Sequence, residues 1–282
     1  MTTACILGAG ELGGAVAHAL ARSDRVGRIV LIDGIGQVAA GKALDIQQSG
    51  AVEGFHTRLS GTTDPTRVSG CDVCIIADRS GPPSSDWNGD EGLAMLTRLL
   101  PFLAEAPMVF AGASQADLLL TVAREGGVRR DRLIGSSAEA FASAVTAIVA
   151  MEARCAPGEV KLTVLGAPPA GFVVPWSEAS IGGYSLERVL SQVQLARLEA
   201  RVARLWPPGP YALGLAAARA AEAIVISSRR AFSVLAVLGG EFGVRDRVGC
   251  LPALLSTAGI VHARIPTLNT RERVQLETAL GS

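Results

Sequence analysis

The run Ala4-Cys5-Ile6-Leu7, followed by Gly8-Ala9-Gly10-Glu11-Leu12-Gly13, decides the fold. Four apolar residues bounded by glycine have the pattern of a buried parallel strand. The hexapeptide behind them is a complete G-x-G-x-x-G. Residues 14–22 continue with helix-forming, alanine-rich sequence, and Arg28-Ile29-Val30-Leu31-Ile32 is a second strand that ends on Asp33. Strand, glycine turn, helix and strand in this order form a dinucleotide-binding unit. In such a unit Gly8 permits the tight turn, Gly10 lets the backbone approach a pyrophosphate, and Gly13 lets the helix pack close to the strand. The helix N-terminus offers free N–H groups and a positive dipole end to the phosphates. Asp33 lies about 20 residues past the last glycine, where an acid accepts hydrogen bonds from the adenosine ribose. It would also repel a 2′-phosphate, so NAD is expected rather than NADP. Glu11 has two readings. It either opposes phosphate at the mouth of the turn, or points outward and stabilises its helix N-terminus.

Working outward, the alternation continues. Residues 38–48 read as a helix, 55–61 as a third strand, and 73–77 as a fourth that ends in Asp78-Arg79. Residues 80–89 are rich in Gly, Pro, Ser and Asp, and predict a surface loop. It follows a strand's carboxyl end, where open α/β sheets bind ligands. Residues 91–104 return to helix, 108–111 form a fifth strand, and 115–125 a helix stopped by Gly126-Gly127. Residues 132–135 form a short strand. Alternating strands and helices predict a parallel, doubly wound sheet. Beyond Gly135 the pattern changes. Helices are expected over 138–153, 186–205 and 211–227, with Pro207-Pro208-Gly209-Pro210 as a break. Residues 159–165 read as a strand, and 231–238, 247–251 and 261–265 as antiparallel strands. A closing helix over 269–280 is capped by Asn269 or Thr270. The expected division is a Rossmann-type NAD-binding domain over 1–134 and an α+β domain over 135–282.

A chain of 282 residues can hold a large core. Its formal net charge is zero, which gives no basic surface for nucleic acid. Lysine occurs only at Lys42 and Lys161, which reads as compositional bias. No basic segment precedes the first apolar stretch and no apolar run is long enough to span a bilayer, so a cytoplasmic protein is expected. The five cysteines are scattered. Cys71 and Cys74 sit in a strand-like run, where alternation puts them on opposite faces. No second Cys or His pair completes a zinc set, and no metal is expected.

The order of further motifs resembles the NAD-dependent lactate/malate dehydrogenase family over nearly the whole chain. Gly41-Lys42-Ala43-Leu44-Asp45-Ile46 matches the family's G-x-A-L-D-L helix, and Asp72-Val73-Cys74-Ile75-Ile76 its D-V-V-I-I strand. Pro175-Trp176-Ser177 through Gly182-Gly183 resembles W-S-x-x-x-x-G-G, and Gly209-Pro210-Tyr211-Ala212 resembles a G-S-A-Y helix start. Gly240-Glu241-Phe242-Gly243 and Leu268-Asn269 match the closing G-E-Y-G and L-N-x-x-E patterns. The resemblance implies a Rossmann-type sheet followed by an α+β domain, NAD(H) as ligand beside an unidentified small molecule, and a homodimer or homotetramer. The cofactor set it implies is Gly8, Gly10, Glu11, Leu12, Gly13, Asp33, Ala77 and Ser114.

The chemistry departs from the family. Oxidising a 2-hydroxy acid needs a base for the hydroxyl proton while hydride leaves the carbon. The family uses a histidine in a G-x-H-G-D turn, an orienting aspartate in an L-D-x-x-R helix, and arginines that clamp the carboxylate. Here Pro168 stands at the histidine position, Phe141 at the aspartate and Ala144 at the arginine, and residues 80–89 hold no arginine. The pair after the fifth strand, Asn-Pro in the family, is Ser114-Gln115. His18, His56 and His262 map to other segments and read as ordinary core or surface residues. Asp78 and Arg79 are substitute candidates, as base and anion holder, with a salt-bridged pair at a strand end as the plainer alternative. Asp86, Asp90 and Glu91 make the loop acidic, and Trp87 is a candidate cover for a ligand. Three functions follow: a cofactor-binding pseudoenzyme or sensor, an oxidoreductase rebuilt around Asp78 and Arg79, or an oligomeric scaffold without cofactor.

Overall fold

Most of the short apolar runs separated by amphipathic segments become strands of one large sheet, beside a small sheet and a two-stranded pair, in the computed structural model, which describes residues 1–81, 85–169 and 171–281. The first half runs β1 (Thr3–Leu7), α1 (Glu11–Ser23), β2 (Arg28–Ile32), α2 (Gly36–Glu53), β3 (Arg58–Thr62), β4 (Val73–Ile76), β5 (Asp78–Arg79), β6 (Ser85–Asp86), α3 (Gly89–Leu103), β7 (Met108–Phe110), α4 (Ala116–Glu125) and β8 (Leu133–Gly135). The second half runs α5 (Ser137–Ala153), β9 (Val160–Lys161), β10 (Leu165–Ala167), β11 (Gly171–Val173), β12 (Ser180–Ile181), β13 (Tyr184–Ser185), α6 (Leu186–Val189), α7 (Gln192–Val202), α8 (Pro210–Ile226), β14 (Ala231–Gly239), β15 (Arg245–Ser256), β16 (Gly259–Ala263) and α9 (Thr270–Leu280).

The first-half strands pair in parallel in the order β8-β7-β4-β1-β2-β3. The order reverses between β1 and β4, and their carboxyl ends form the switch point at which doubly wound sheets place a ligand crevice. β1 and β4 are buried on both faces because helices cover both sides, which explains their unbroken apolar composition. The expected boundary at residues 134 and 135 falls on β8. There the sheet does not stop. Leu235 of β14 pairs with Gly135 in antiparallel sense, and β15, β10 and β11 follow.

The halves also share side-chain packing. Val16, Ala17 and Leu20 of α1 and Leu213, Ala217 and Ala221 of α8 belong to one buried cluster. Burying a Val or Leu side chain stabilises by roughly 1.5–3 kcal/mol. A Cβ on Gly214 of α8 would meet Ala15, so that glycine sets how closely the two helices cross. Among the described residues no single helix is long and apolar enough to cross a membrane.

Several expectations are revised. The helix expected over 186–205 is two, α6 and α7, because the backbone turns extended at Leu190 and Ser191 then caps α7 in a reciprocal box with Gln194. The strand expected over 159–165 is split between β9 and β10. Asn269 is the cap of α9, again in a box, with Glu272. Cys71 and Cys74 do not face apart. Cys71 precedes β4 rather than lying within it, and both thiols enter one buried cluster with Cys5.

Candidate functional site

The crevice between β1 and β4 is built first from backbone. Gly8 turns the chain at φ +102°, a conformation open to glycine. Its N–H donates to the Ile32 carbonyl at 2.8 Å. α1 then starts with Gly10 as a cap that has no side chain to offer. Its first N–H groups need an outside acceptor, the role expected of a pyrophosphate.

That acceptor is Asp78. The Leu12 N–H donates to Asp78 Oδ2 at 3.0 Å and the Gly13 N–H to Asp78 Oδ1 at 2.8 Å. The carboxylate is 4 % exposed and caps a helix from 65 and 66 residues away in sequence. Burial pushes its pKa above the ordinary aspartate range, with Asp86 adding to the effect, against the opposing hydrogen bonds from Gly13 and Leu12. A Cβ on Gly10 would fall on the Asp78 carboxylate, so the second glycine of the motif already has a packing reason inside this chain. Glu11, by contrast, is exposed. Lys42 of α2 also reaches the turn, donating from Nζ to the Gly10 carbonyl at 2.5 Å.

Asp33 is equally engaged. It accepts from the N–H groups of Ala9 at 2.8 Å, Ile35 at 2.9 Å and Ser80 at 2.9 Å, and from Ser80 Oγ at 2.5 Å. Burial acts to raise its pKa, but the hydrogen bonds from Ile35, Ser80 and Ala9 together outweigh it and hold the carboxyl below the usual range.

A second carboxylate closes the other end. β5 and β6 pair antiparallel, with Asp78 opposite Asp86. Asp86 Oδ2 accepts from Ser114 Oγ at 2.8 Å and from the Ser114 N–H at 3.3 Å. Gln115, 1 % exposed, fastens this region to the sheet. Its amide donates to the carbonyls of Ala77 at 3.1 Å and Trp87 at 2.9 Å and accepts from the Gly112 N–H at 2.8 Å.

The expected cofactor residues Gly8, Gly10, Leu12, Gly13, Asp33, Ala77 and Ser114 therefore do converge on one crevice, and β5 and β6 lie against them. The substitute candidates are not free. Asp78 is held by α1, while Arg79 pairs with Glu91 at 2.5 Å, donates to Ser85 Oγ at 3.1 Å and lies 6.0 Å from the Trp87 ring centre. Asp78 and Arg79 form no salt bridge with each other. Loop acidity is thus partly spent internally, on Ser114 and Arg79. Pro82, Pro83 and Ser84 of that loop, and Ala170 of the turn after β10, lie outside the described residues.

Phe141, at the position aligned with the family's aspartate, is packed among aromatic rings. Phe141 of α5 is fully buried and stacks on Phe172 of β11, with ring centres 4.2 Å apart and planes at 24°. Trp206 closes the group at 5.9 Å from Phe141 and 4.8 Å from Phe172. Phe172 pairs with Gly166, two residues before Pro168, so α5 and β11 meet through aromatic rings. Ala144 lies one helical turn along α5. The three histidines are elsewhere: His18 on α1, His56 exposed beside Asp24, and His262 exposed on β16. Glu178 is exposed.

The roles of Asp86, Lys42, Gln115 and Ser80 were not legible in the sequence, and Asp78, expected as a substitute base or a salt-bridge partner of Arg79, is instead the cap of α1. The weak signals were a lysine in an arginine-rich chain and a buried-type position filled by glutamine.

No family model matches the chain. A malate dehydrogenase of Thioalkalivibrio sulfidiphilus is 30% identical over 301 residues, covering 100% of this chain and 97% of its own. One from Salinibacter ruber is 28% identical over 295 residues, covering 98% and 93%. Among solved structures, the Salinibacter ruber malate dehydrogenase aligns with a TM-score of 0.86 at 23% identity, over 99% of this chain and 94% of that one. The lactate dehydrogenase of Cryptosporidium parvum, complexed with lactic acid and nicotinamide adenine dinucleotide, aligns with a TM-score of 0.88 at 20% identity, over 99% and 94%.

Proposed function

The chain belongs to the lactate/malate dehydrogenase family, and we propose that it is a member that responds to NAD(H) without oxidising 2-hydroxy acids. The observation that carries this reading is the stack of Phe141, Phe172 and Trp206 where the family's resemblance calls for an aspartate next to a histidine turn. An aromatic cluster neither accepts the hydroxyl proton nor orients a base. Pro168 has no side-chain proton to exchange, and Ala144 offers no cation to a carboxylate. General acid–base catalysis alone contributes about 10²–10⁴-fold in rate, and substrate clamping is lost with it. NAD(H) is the ligand class that the glycine turn and Asp33 suit, with a small molecule beside it.

The test is steady-state turnover of malate and lactate with NAD, in parallel with an NADH titration followed by nicotinamide fluorescence. Negligible turnover with saturable NADH binding is expected. A clear steady-state rate with either acid would overturn the reading.

A scaffold that uses no cofactor is the second reading, and the Asp78 carboxylate on the Leu12 and Gly13 N–H groups favours it. It predicts a defined homodimer or homotetramer by light scattering and no NADH binding. An oxidoreductase rebuilt around Asp78 and Arg79 is disfavoured, because both side chains are committed to partners in the fold. Four buried cysteines without disulfides suit a reducing, cytoplasmic setting.

A further inference from the structure

Three of the contacts at the crevice have one origin. Asp78, Ser80 and Asp86 come from β5, β6 and the residue that follows β5. Each meets a group assigned to the dinucleotide: Asp78 the N–H groups of Leu12 and Gly13, Ser80 the Asp33 carboxylate, and Asp86 Ser114. In chemical type these contacts match those of a bound dinucleotide. A carboxylate takes the place of phosphate oxygens on the helix N-terminus. A hydroxyl takes the place of a ribose hydroxyl on Asp33, and a second acceptor engages Ser114.

We infer that β5 and β6 are an intrachain occupant of the dinucleotide crevice, so that NAD(H) binds only as Asp78, Ser80 and Asp86 give up the groups they hold. This deepens the reading of the chain as an NAD(H)-responsive protein and rests on it. The N–H groups of Leu12 and Gly13 cannot serve a buried carboxylate and a pyrophosphate together. Two anions at one helix N-terminus also repel each other strongly where water is excluded. Apparent affinity for NADH is therefore reduced by the fraction of molecules in which Asp78 has left the turn. Ligand binding and the position of β5 and β6 become one equilibrium. A crevice that exchanges its own carboxylate for a ligand changes the surface formed by residues 78–80 and 85–88, which gives a non-catalytic protein a signal to transmit.

The experiment is an NADH titration, by nicotinamide fluorescence, of the full chain and of Asp78→Asn, Asp78→Ser and Asp86→Asn, each checked for fold by circular dichroism. Asp78→Asn keeps an oxygen acceptor for α1 while removing the charge, so it guards against the case in which Asp78→Ser fails to fold. Asp78→Asn is expected to tighten NADH binding by about tenfold or more, from the loss of a competing charge-assisted contact, and Asp86→Asn by less. Equal affinity in the wild type and the folded variants, whether tight or absent, would overturn the inference. Tight and equal binding would leave the NAD(H) reading standing, and absent binding in all of them would remove both. Amide hydrogen exchange on the ligand-free wild type gives a measurement that needs no variant. Leu12 and Gly13 should be protected without ligand, and fast exchange at both would also refute the occupant.

Discussion

Replacing Phe141 by alanine tests whether the space of a proton relay has become core. The side chain is fully buried and faces Phe172 at 4.2 Å and Trp206 at 5.9 Å. Truncating a buried Phe costs about 3–5 kcal/mol through lost transfer energy and the cavity left behind. Within that, the ring stacking accounts for about 0.5–1.5 kcal/mol. At about 2–4 °C per kcal/mol for a chain of this size class, the melting temperature should fall by about 6–20 °C. Phe141→Asp should be worse than Phe141→Ala, because it buries a carboxylate among rings that cannot pair with it. Urea unfolding followed by circular dichroism and tryptophan fluorescence measures both, and Trp206 lies close enough to report locally. Val52→Ala, at a side chain 90% exposed, should stay within about 0.5 kcal/mol and serves as control. A Phe141→Ala loss under about 1 kcal/mol, or a Phe141→Asp protein as stable as the wild type, would refute the argument. The first would mean that the ring adds little to the core, and the second that the site accepts a carboxylate as a relay pocket would.

Gly10→Ala should destabilise the chain with no cofactor present, since the new Cβ meets the Asp78 carboxylate. Asp78→Ala should relieve part of that loss, and a thermodynamic cycle should give a coupling of about 0.5–3 kcal/mol; additive losses would contradict the packing role. The two crevice carboxyls act oppositely with pH. Asp33 titrates below its ordinary range when folded, so its contribution is present above the unfolded pKa and lost as pH falls through the folded one. Asp78 titrates above its ordinary range, so its contribution is full below the unfolded pKa and lost as pH rises through the folded one. Ser80→Ala should therefore shift the acid-unfolding midpoint upward by weakening Asp33, and an unchanged midpoint would count against that assignment. In the second half, Glu272 is buried and accepts from the Ser177 N–H at 3.0 Å, Ser177 Oγ at 2.7 Å and the Asn269 N–H at 3.1 Å. Glu272→Ala leaves those donors unpaired and should cost about 1–3 kcal/mol in urea unfolding.

Much of the architecture was legible because it is local. β1, β2, β4 and β7 announce themselves as apolar runs, and α1 follows a glycine turn whose spacing has one geometry. The break between α6 and α7 was missed because apolar spacing runs through it, while the Ser191 box that divides it depends on two side chains folding back on the backbone. The aromatic stack was visible only in part. Phe141 could be aligned with the family's aspartate position, but Phe172 and Trp206 join it from distant segments.

By itself, the sequence determined the parallel half of the sheet, the dinucleotide-type turn, and the residue types Pro168, Phe141 and Ala144 that stand at the family's relay and clamp positions. All of these reside in short motifs whose residues act on near neighbours. Tertiary structure alone decided what sits on the turn. A helix N-terminus leaves N–H groups that some acceptor must satisfy, and a ligand and a carboxylate 65 residues away meet that need equally well on paper. The choice of Asp78 follows from the β4 register, which brings residues 77–80 to the carboxyl end of β1. That register is set by burial across the whole sheet, and no local stretch records it.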